Sequence, residues 1–219
     1  RVRQGRFRYI TPTKLVVKGI SKHAVVGFLP ENTVFSGANT PAFIIENSDY
    51  DWRLFLALLN SHVVSHYLRS VCPAKLQGYF RFNANNLNLI PIPTEVDDKI
   101  QKSLIDLTDK IIELKEEHAN KYSRSLNRIR DNFGLEKIPK KLQCFQLLKF
   151  QEFLKIINDE GKIKPSLKEQ DEWDDYFNEV VPVLNNLESK IIDCNDKINL
   201  LVYDIYKIRS NDRVVIEKD

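Results

Sequence analysis

The amino-acid sequence predicts an α+β protein: a small, mixed, β-rich domain over residues 1–93, then a long antiparallel, coiled-coil-like helical region over residues 94–219. Three observations predict this class. Short apolar runs separated by Gly, Pro and Asn fill residues 6–46. An apolar helix and an aromatic–basic strand occupy residues 52–93. Beyond Pro93, apolar residues recur at steps of three and four, as in the seam of a coiled coil.

Short strands are predicted at the front of the chain. Residues 15–20 (LVVKGI) and 24–29 (AVVGFL) are apolar runs, and residues 32–35 and 42–46 are further candidates. Gly, Pro and Asn residues lie between these runs, where turns are expected. The pattern indicates a compact sheet of short strands rather than repeated βαβ units.

A helix that packs on this sheet is predicted over residues 52–70. Its apolar side chains form one wide stripe at helical period. The stripe consists of Phe55, Leu58, Leu59 and Val63, with Trp52 and Tyr67 at the ends of the helix. Ser48 or Asp49 can cap the start, and Asp51 adds negative charge to the first turn.

A polar loop and a short strand follow this helix. In an extended strand, Tyr79 and Arg81 share one face, whereas Phe80 and Phe82 share the other. The apolar face can pack on the helix while the tyrosine ring and the guanidinium point outward. This arrangement is typical of a binding platform.

The remainder of the chain is predicted to be helical. One helix has its apolar residues at Ile100, Leu104, Leu107, Ile111 and Leu114. We expect it to continue to about Asp131 and to end before Gly134. A second helical region is predicted over residues 144–158, and residues 166–169 (SLKE) form a capping box that opens a third helix.

The third helix has the strongest periodicity in the sequence. Its seam consists of Val180, Leu184, Leu187, Ile191, Cys194, Ile198, Leu201, Ile205 and Ile208. Pro182 marks either a kink or a fresh start. Since so long a seam needs a partner, we expect it to pair antiparallel with the first helix, each rod being roughly 45–55 Å long.

Positive charge is concentrated at the front of the chain. Residues 1–93 contain eleven Lys and Arg against four Asp and Glu, a net charge of about +7, while the remaining residues are near −4. A basic region of this kind favours a polyanionic partner, and nucleic acid is the first candidate. Ordinary surface charge is the alternative interpretation.

Composition also indicates where the chain comes from and in which compartment it is expected. It has no methionine and begins with Arg1, so we expect a fragment of a longer protein or a processed one. No apolar stretch is long enough to span a bilayer, and the first residues lack the apolar core of a signal peptide. The three cysteines are far apart and odd in number, which favours thiols in a reducing cytoplasm. We therefore expect a cytoplasmic protein with no membrane partner.

Recognisable catalytic motifs are missing from the sequence. It has no glycine-rich fingerprint, no Walker motif, no Gly-x-Ser-x-Gly, and no Pro-Pro, which the Asn/Asp-Pro-Pro-aromatic tetrad of adenine-directed methyltransferases requires. His62 and His66 could place two imidazoles on one metal, but a third ligand at helical spacing is missing. We predict no catalytic residue and no metal site in this chain.

Four segments, in this order along the chain, resemble parts of a known family. LALLNSHVVSHYLRS, followed by GYFRFNANNLNLIPIP, resembles the TaqI-like C-terminal specificity domain of type IIG restriction–modification enzymes and related adenine-specific DNA methyltransferases. FQEFLKIINDEGKIKPSLKEQDEWDDYF resembles the helical segment that follows recognition in that family, and INLLVYDIYKI resembles its closing helix. That helix usually ends in Tyr-Gly, whereas this chain has Tyr206-Lys207.

The resemblance implies a target recognition domain that reads double-stranded DNA, joined to a helical spacer. It also implies an N-terminal methyltransferase domain of the same polypeptide, whose S-adenosylmethionine would be bound outside this chain. No cofactor is expected in the chain itself. The fragment would not be an enzyme, although its parent would methylate adenine and could also cleave DNA.

The candidate DNA-contacting residues follow from chemistry and position, because base-reading residues differ among members of the family. We expect Lys75, Gln77, Tyr79 and Arg81 to enter or line a groove. The other candidates are Lys14, Lys18 and Lys22, expected on phosphates, with His23, Arg69 and Asn83. The alternative function is a protein-interaction module, in which the coiled coil is the functional part and the front domain is a cap that does not bind DNA. A metal-dependent nuclease fragment is a more distant alternative.

Overall fold

A computed structural model describes residues 13–33, 40–44 and 51–218. The chain divides into two compact units. The first comprises Arg1–Lys110 with Cys194–Asp219, and the second comprises Ile111–Asp193. Within the described part the protein is α+β, as predicted, with short antiparallel strands at the front and long helices after them.

Short strands form two small sheets in the first unit. The strands are β1 (Lys14–Val17), β2 (Ile20–Ser21), β3 (Val26–Leu29), β4 (Ala42–Ile44) and β5 (Phe80–Arg81). One sheet has the order β3-β1-β4 and the other pairs β2 with β5. All these pairings are antiparallel, so the described sheets are not mixed.

Most of the predicted strands are present, but one predicted strand is split in two and another is not a strand at its described residues. The run over residues 15–20 is split between β1 and β2, and the two strands belong to different sheets. In the candidate strand over residues 32–35, Asn32 is instead in a turn with a left-handed φ of 60°, and residues 34 and 35 lie outside the described residues. The candidate over residues 42–46 is a strand as far as Ile44.

The helix predicted over residues 52–70 is two helices, α1 (Trp52–Leu59) and α2 (His62–Val71). The break has a local cause. The Asn60 side-chain amide donates to the Val26 carbonyl and its oxygen accepts from the Val26 N–H, both at 2.9 Å. The Ser61 hydroxyl then caps α2 by accepting from the Val64 N–H at 3.3 Å. Asn60 therefore attaches the junction to β3, while Ser61 starts the second helix.

The start of α1 is capped by Asp51, whose carboxylate accepts from the Arg53 N–H at 2.8 Å. The predicted caps, Ser48 and Asp49, lie outside the described residues. The buried face of α1 consists of Leu54, Leu56, Ala57, Leu58 and Leu59. It packs near β3, where Phe28 contacts the Trp52 ring at a centroid distance of 4.9 Å.

Helix α4 (Asp98–Asn132) follows the short α3 (Ala84–Leu87) and ends where it was predicted to end. Gly134 adopts a φ of 59°, and the Leu135 N–H donates to the Arg130 carbonyl at 2.9 Å. This is a Schellman end, in which a left-handed residue closes the helix.

The predicted helix over residues 144–158 is displaced. A 3-10 segment occupies Lys140–Leu147, and α5 then runs over Phe150–Glu160. The predicted capping box is present, because the Ser166 N–H donates to the Glu169 carboxylate at 2.7 Å and Ser166 Oγ accepts from the Glu169 N–H at 3.4 Å. Helix α6 (Leu167–Ile205) contains Pro182 in its interior, so the proline is not a fresh start.

The second unit is organised around an aromatic core. Its buried side chains include Phe133, Phe145, Phe153, Phe177 and Leu184. Helices α4 and α6 run antiparallel here. His118 of α4 contacts Glu188 of α6 at 3.1 Å, and seven residues further along α4 the Ser125 hydroxyl contacts Tyr176, which lies earlier in α6, at 2.9 Å. Coiled-coil packing and the domain boundary at residue 93 stay predictions.

The end of α6 explains the departure from the family's usual Tyr-Gly. Lys207 adopts a φ of 52°, the left-handed conformation that glycine adopts most easily. The Ile208 N–H donates to the Tyr203 carbonyl at 2.9 Å, and the Lys207 N–H donates to the Asp204 carbonyl at 3.1 Å. The helix therefore has the usual Schellman end without a glycine, and α7 (Ser210–Lys218) follows it.

Candidate nucleic-acid interface

Residues 73–81 form a hairpin, the exposed hairpin. Its two arms are joined by backbone hydrogen bonds, from the Lys75 N–H to the Tyr79 carbonyl at 2.6 Å and from the Arg81 N–H to the Pro73 carbonyl at 3.0 Å. Ala74 and Phe80 form an antiparallel bridge between them. The sequence predicts a loop followed by a strand here, and the structure makes both into one ribbon.

The hairpin closes through a left-handed turn at its tip. Gln77 has φ 61° and ψ 30°, and Gly78 has φ 75°. Two successive residues with positive φ are characteristic of a type I′ turn, which follows the natural twist of a two-stranded ribbon. A Cβ built at Gly78 would meet nothing within 4 Å, so the tip projects into open space.

The base of the hairpin is attached to the second sheet. Arg81 pairs with Ile20, and the Phe82 N–H donates to the Gly19 carbonyl at 2.9 Å. Phe82 is buried and Phe80 is half-buried, whereas Arg81 is exposed and Tyr79 is 38% exposed. The predicted alternation of faces is therefore present, and the tyrosine and guanidinium face outward.

Two cations lie over aromatic rings of the hairpin. Lys22 Nζ is 5.7 Å from the centroid of the Tyr79 ring, and the Arg69 guanidinium is 5.5 Å from that of Phe80. Both distances are within the range of cation–π attraction. Because Tyr79 and Phe80 lie on opposite faces of the strand, Lys22 and Arg69 approach the hairpin from opposite sides and add positive charge around it.

The turn that carries Lys22 and His23 is held against α2. The Ser21 hydroxyl donates to the His23 carbonyl, and the Ala24 N–H donates to the Ser65 hydroxyl at 3.2 Å. Arg69 lies one helical turn after Ser65, on the same side of α2. The helix therefore positions the lysine turn and the Arg69 guanidinium together.

The cationic surface is defined as Lys18, Lys22, His23, Arg69, Lys75, Tyr79 and Arg81. The sequence has no Asp or Glu between Trp52 and Pro93, nor between Arg1 and Pro30. Asp51, which precedes this acid-free stretch, is bound to Arg53 at 2.7 Å. These hydrogen bonds lower the pKa of Asp51, and Arg53 also contacts Asp109. Arg53 is thus a structural residue outside the cationic surface.

Two predicted contact residues do not join this surface. The Lys14 side chain is fully buried on β1, so it is not positioned to bind phosphate as predicted. Asn83 is half-buried and caps α3, where its side-chain oxygen accepts from the Asn86 N–H at 3.1 Å. The sequence does not show which face of a short strand carries its lysine, because that depends on the strands that pair with it and on what covers each face.

Leu76 was missed by reasoning from the sequence. It lies at the hairpin tip beside Gln77 and is 89% exposed. Ile20, which faces Arg81 across the sheet, is 52% exposed. The Gln-Gly pair at positions 77 and 78 was the signal for a tight turn that would expose the preceding leucine.

The described part of the chain offers no other evident reactive centre. Among its residues, no group of three or more His, Cys, Asp or Glu could hold a metal ion. Within residues 13–33, 40–44 and 51–218, none of the helices is long and apolar enough to cross a membrane. The three cysteines, Cys72, Cys144 and Cys194, are free thiols, and burial raises the pKa of Cys72.

Comparison with protein families identifies two segments. Residues 2–92 match the model of the TaqI-like C-terminal specificity domain, which confirms the resemblance. Residues 97–202 match a family described as Domain of unknown function (DUF8810). Searches of curated proteins and of solved structures give no match. The first of these families is one of DNA sequence-specificity domains, and the exposed hairpin lies within its limits.

Proposed function

We propose that this chain is the sequence-specific, double-stranded DNA recognition region of a restriction–modification adenine methyltransferase, because residues 2–92 match the model of the TaqI-like C-terminal specificity domain. It positions a catalytic methyltransferase domain that lies outside the chain in the same polypeptide. That domain binds S-adenosylmethionine, and the protein works in the cytoplasm. In this proposal residues 1–93 recognise DNA and residues 94–219 are the helical spacer.

The observation that carries the proposal is the exposed hairpin and its setting. Its arms and tip present an ammonium, an amide, a tyrosine ring and a guanidinium, from Lys75, Gln77, Tyr79 and Arg81. Arginine binds guanine through two hydrogen bonds, glutamine binds adenine in the same way, and lysine binds phosphate. An acid-free, cationic ribbon that projects from a small sheet therefore has the chemistry of a base-reading element.

Lys18, Lys22 and Arg69 contact phosphates on either side of the bases that the hairpin reads. They lie around the base of the hairpin. The charged groups of Lys22 and Arg69 are held in place by cation–π contacts with Tyr79 and Phe80. Phosphate contacts fix the register of a protein on DNA, whereas base contacts select the sequence. The cationic surface provides both kinds of group.

Selection from a duplex library with a randomised core tests this proposal. The full chain is expected to enrich a consensus sequence, and Arg81→Ala should bind the selected duplex about 5- to 150-fold more weakly, which corresponds to a loss of about 1–3 kcal/mol. Fluorescence anisotropy measures the dissociation constants. Arg124→Ala is the matched control, because Arg124 is an exposed arginine of α4 outside the cationic surface.

Equal binding by the Arg81→Ala variant and the unaltered chain would remove Arg81 from the interface. If no duplex is enriched, the proposed sequence-specific recognition is wrong. Dimerisation with rising concentration, without DNA binding, would then favour the protein-interaction module.

A further inference from the structure

The tip of the exposed hairpin combines an apolar and an amide side chain. Leu76 is 89% exposed, although leucine is among the residues most often buried. Gln77 follows it directly and is also exposed. Isolated apolar residues on a surface are common, but this one lies in the turn that closes a cationic ribbon. Its neighbours are chemically suited to DNA, and a contact made by the tip would involve both side chains.

The dimensions of the hairpin match the major groove. Each arm has three residues, which span about 10 Å at roughly 3.3 Å per residue, and the major groove is about 8.5 Å deep. That groove is about 12 Å wide and admits a two-stranded ribbon, whereas the minor groove is only about 6 Å wide. The tip, rather than the arms, would therefore reach the floor of the major groove.

An A·T pair displays, in that groove, the two features that this tip can contact. Adenine presents its N7 acceptor and N6 amino donor, which a glutamine amide binds with two hydrogen bonds. Thymine presents its 5-methyl group, to which an apolar side chain can pack. A G·C pair offers no methyl group, so a leucine would gain little there.

We propose that the hairpin tip reads A·T base pairs from the major groove, with the Gln77 amide on adenine and Leu76 on a thymine 5-methyl group. This inference rests on the proposed function and specifies the bases that it recognises. The Gln77 side-chain NH₂ donates to adenine N7, and its oxygen accepts from the adenine N6 amino group. The left-handed turn at Gln77 and Gly78 holds both side chains at the end of the ribbon.

Base analogues in the selected duplex test each contact separately. Replacing the contacted thymine by deoxyuridine removes only the methyl group and should weaken binding about fourfold, the value of one buried methyl group. The penalty should vanish in Leu76→Ala and persist in Leu76→Ile. Replacing adenine by 7-deazaadenine should weaken binding about fivefold or more, and this penalty should vanish in Gln77→Ala.

Every outcome of this experiment bears on the inference. A consensus without A·T pairs overturns it while leaving the proposed function intact, and so does a deoxyuridine penalty that is absent or equally large in Leu76→Ala. Failure to enrich any duplex overturns both. Because Leu76 is exposed, thermal unfolding of Leu76→Ala should be unchanged, which separates lost contact from lost structure.

Discussion

At the scale of single residues, the described surface is arranged by backbone conformation and by contacts between rings and cations. Gln77 occupies the left-handed region, which costs a residue with a Cβ about 1–2 kcal/mol. Such strain persists where the surrounding structure imposes it, and it is common at binding sites. Here the backbone hydrogen bonds of the hairpin impose it. A glycine would fit more easily, but it would lack the side-chain amide that we propose binds adenine.

Substitution of Gln77 should separate stability from DNA recognition. Gln77→Gly relieves the left-handed strain, while the added freedom of the unfolded chain offsets much of that gain, so the free energy of unfolding should change by less than about 1 kcal/mol. Gln77→Val should lower it by about 1–2 kcal/mol, because a β-branched residue is poorly tolerated at positive φ. Urea unfolding measures both, and duplex selectivity should fall in both. If Gln77→Val had a higher free energy of unfolding than Gln77→Gly, the left-handed turn would be contradicted.

At the scale of elements, helix ends determine where the chain changes direction. The apolar stripe over residues 52–70 correctly predicts helical structure, but the prediction of one continuous helix is wrong, because the segment forms α1 and α2. Asn60 and Ser61 satisfy backbone groups of β3 and α2, and those hydrogen bonds replace the next helical turn. The ends of α4 and α6 share one left-handed closing motif, at Gly134 and Lys207. Only the first of these was evident from the sequence.

The cap of α1 should make stability depend on pH. The Arg53 guanidinium and N–H lower the pKa of Asp51 in the folded protein below its unfolded value of about 3.8. A depressed pKa contributes stability above the unfolded pKa, and this is lost as pH falls through the folded value. Asp51→Asn keeps the cap but not the charge. It should therefore cost about 1 kcal/mol at pH 7 and progressively less below about pH 4.

Denaturant unfolding at pH 7 and in acid, on both proteins, measures this difference. Asp175→Asn is the matched control, since Asp175 is an exposed carboxylate within α6. A loss that is the same at both pH values would show that Asp51 acts through its shape rather than its charge.

At the scale of the whole molecule, charge is divided along the chain. Residues 1–93 carry a net charge of about +7 and the remaining residues about −4. A polyanion such as DNA is therefore attracted to the first part and repelled by the second. The proposed binding of DNA by the cationic surface would release counterions, so its strength should fall steeply as salt rises. Lys18 is an exposed member of that surface.

Replacing Lys18 by Ala should weaken binding to all duplexes alike and reduce the slope of log K against log salt by about 0.9, the value for one phosphate contact. Titrations by anisotropy over a range of salt concentrations give the slope. Lys197→Ala, which removes an exposed lysine of α6, should leave it unchanged. A slope that is unaltered by Lys18→Ala would place this lysine away from phosphate.

Reasoning from sequence alone determined the α+β class, the helical remainder, the alternating faces around Arg81 and the family of residues 2–92, because period, turn residues and short motifs are local properties. Only the tertiary structure decided that Lys14 is buried, that Lys22 and Arg69 meet the aromatic rings of the hairpin, and that Leu76 is exposed at its tip. These depend on which strands pair and which backbone groups find partners across the fold, and such contacts leave no periodic trace in the chain.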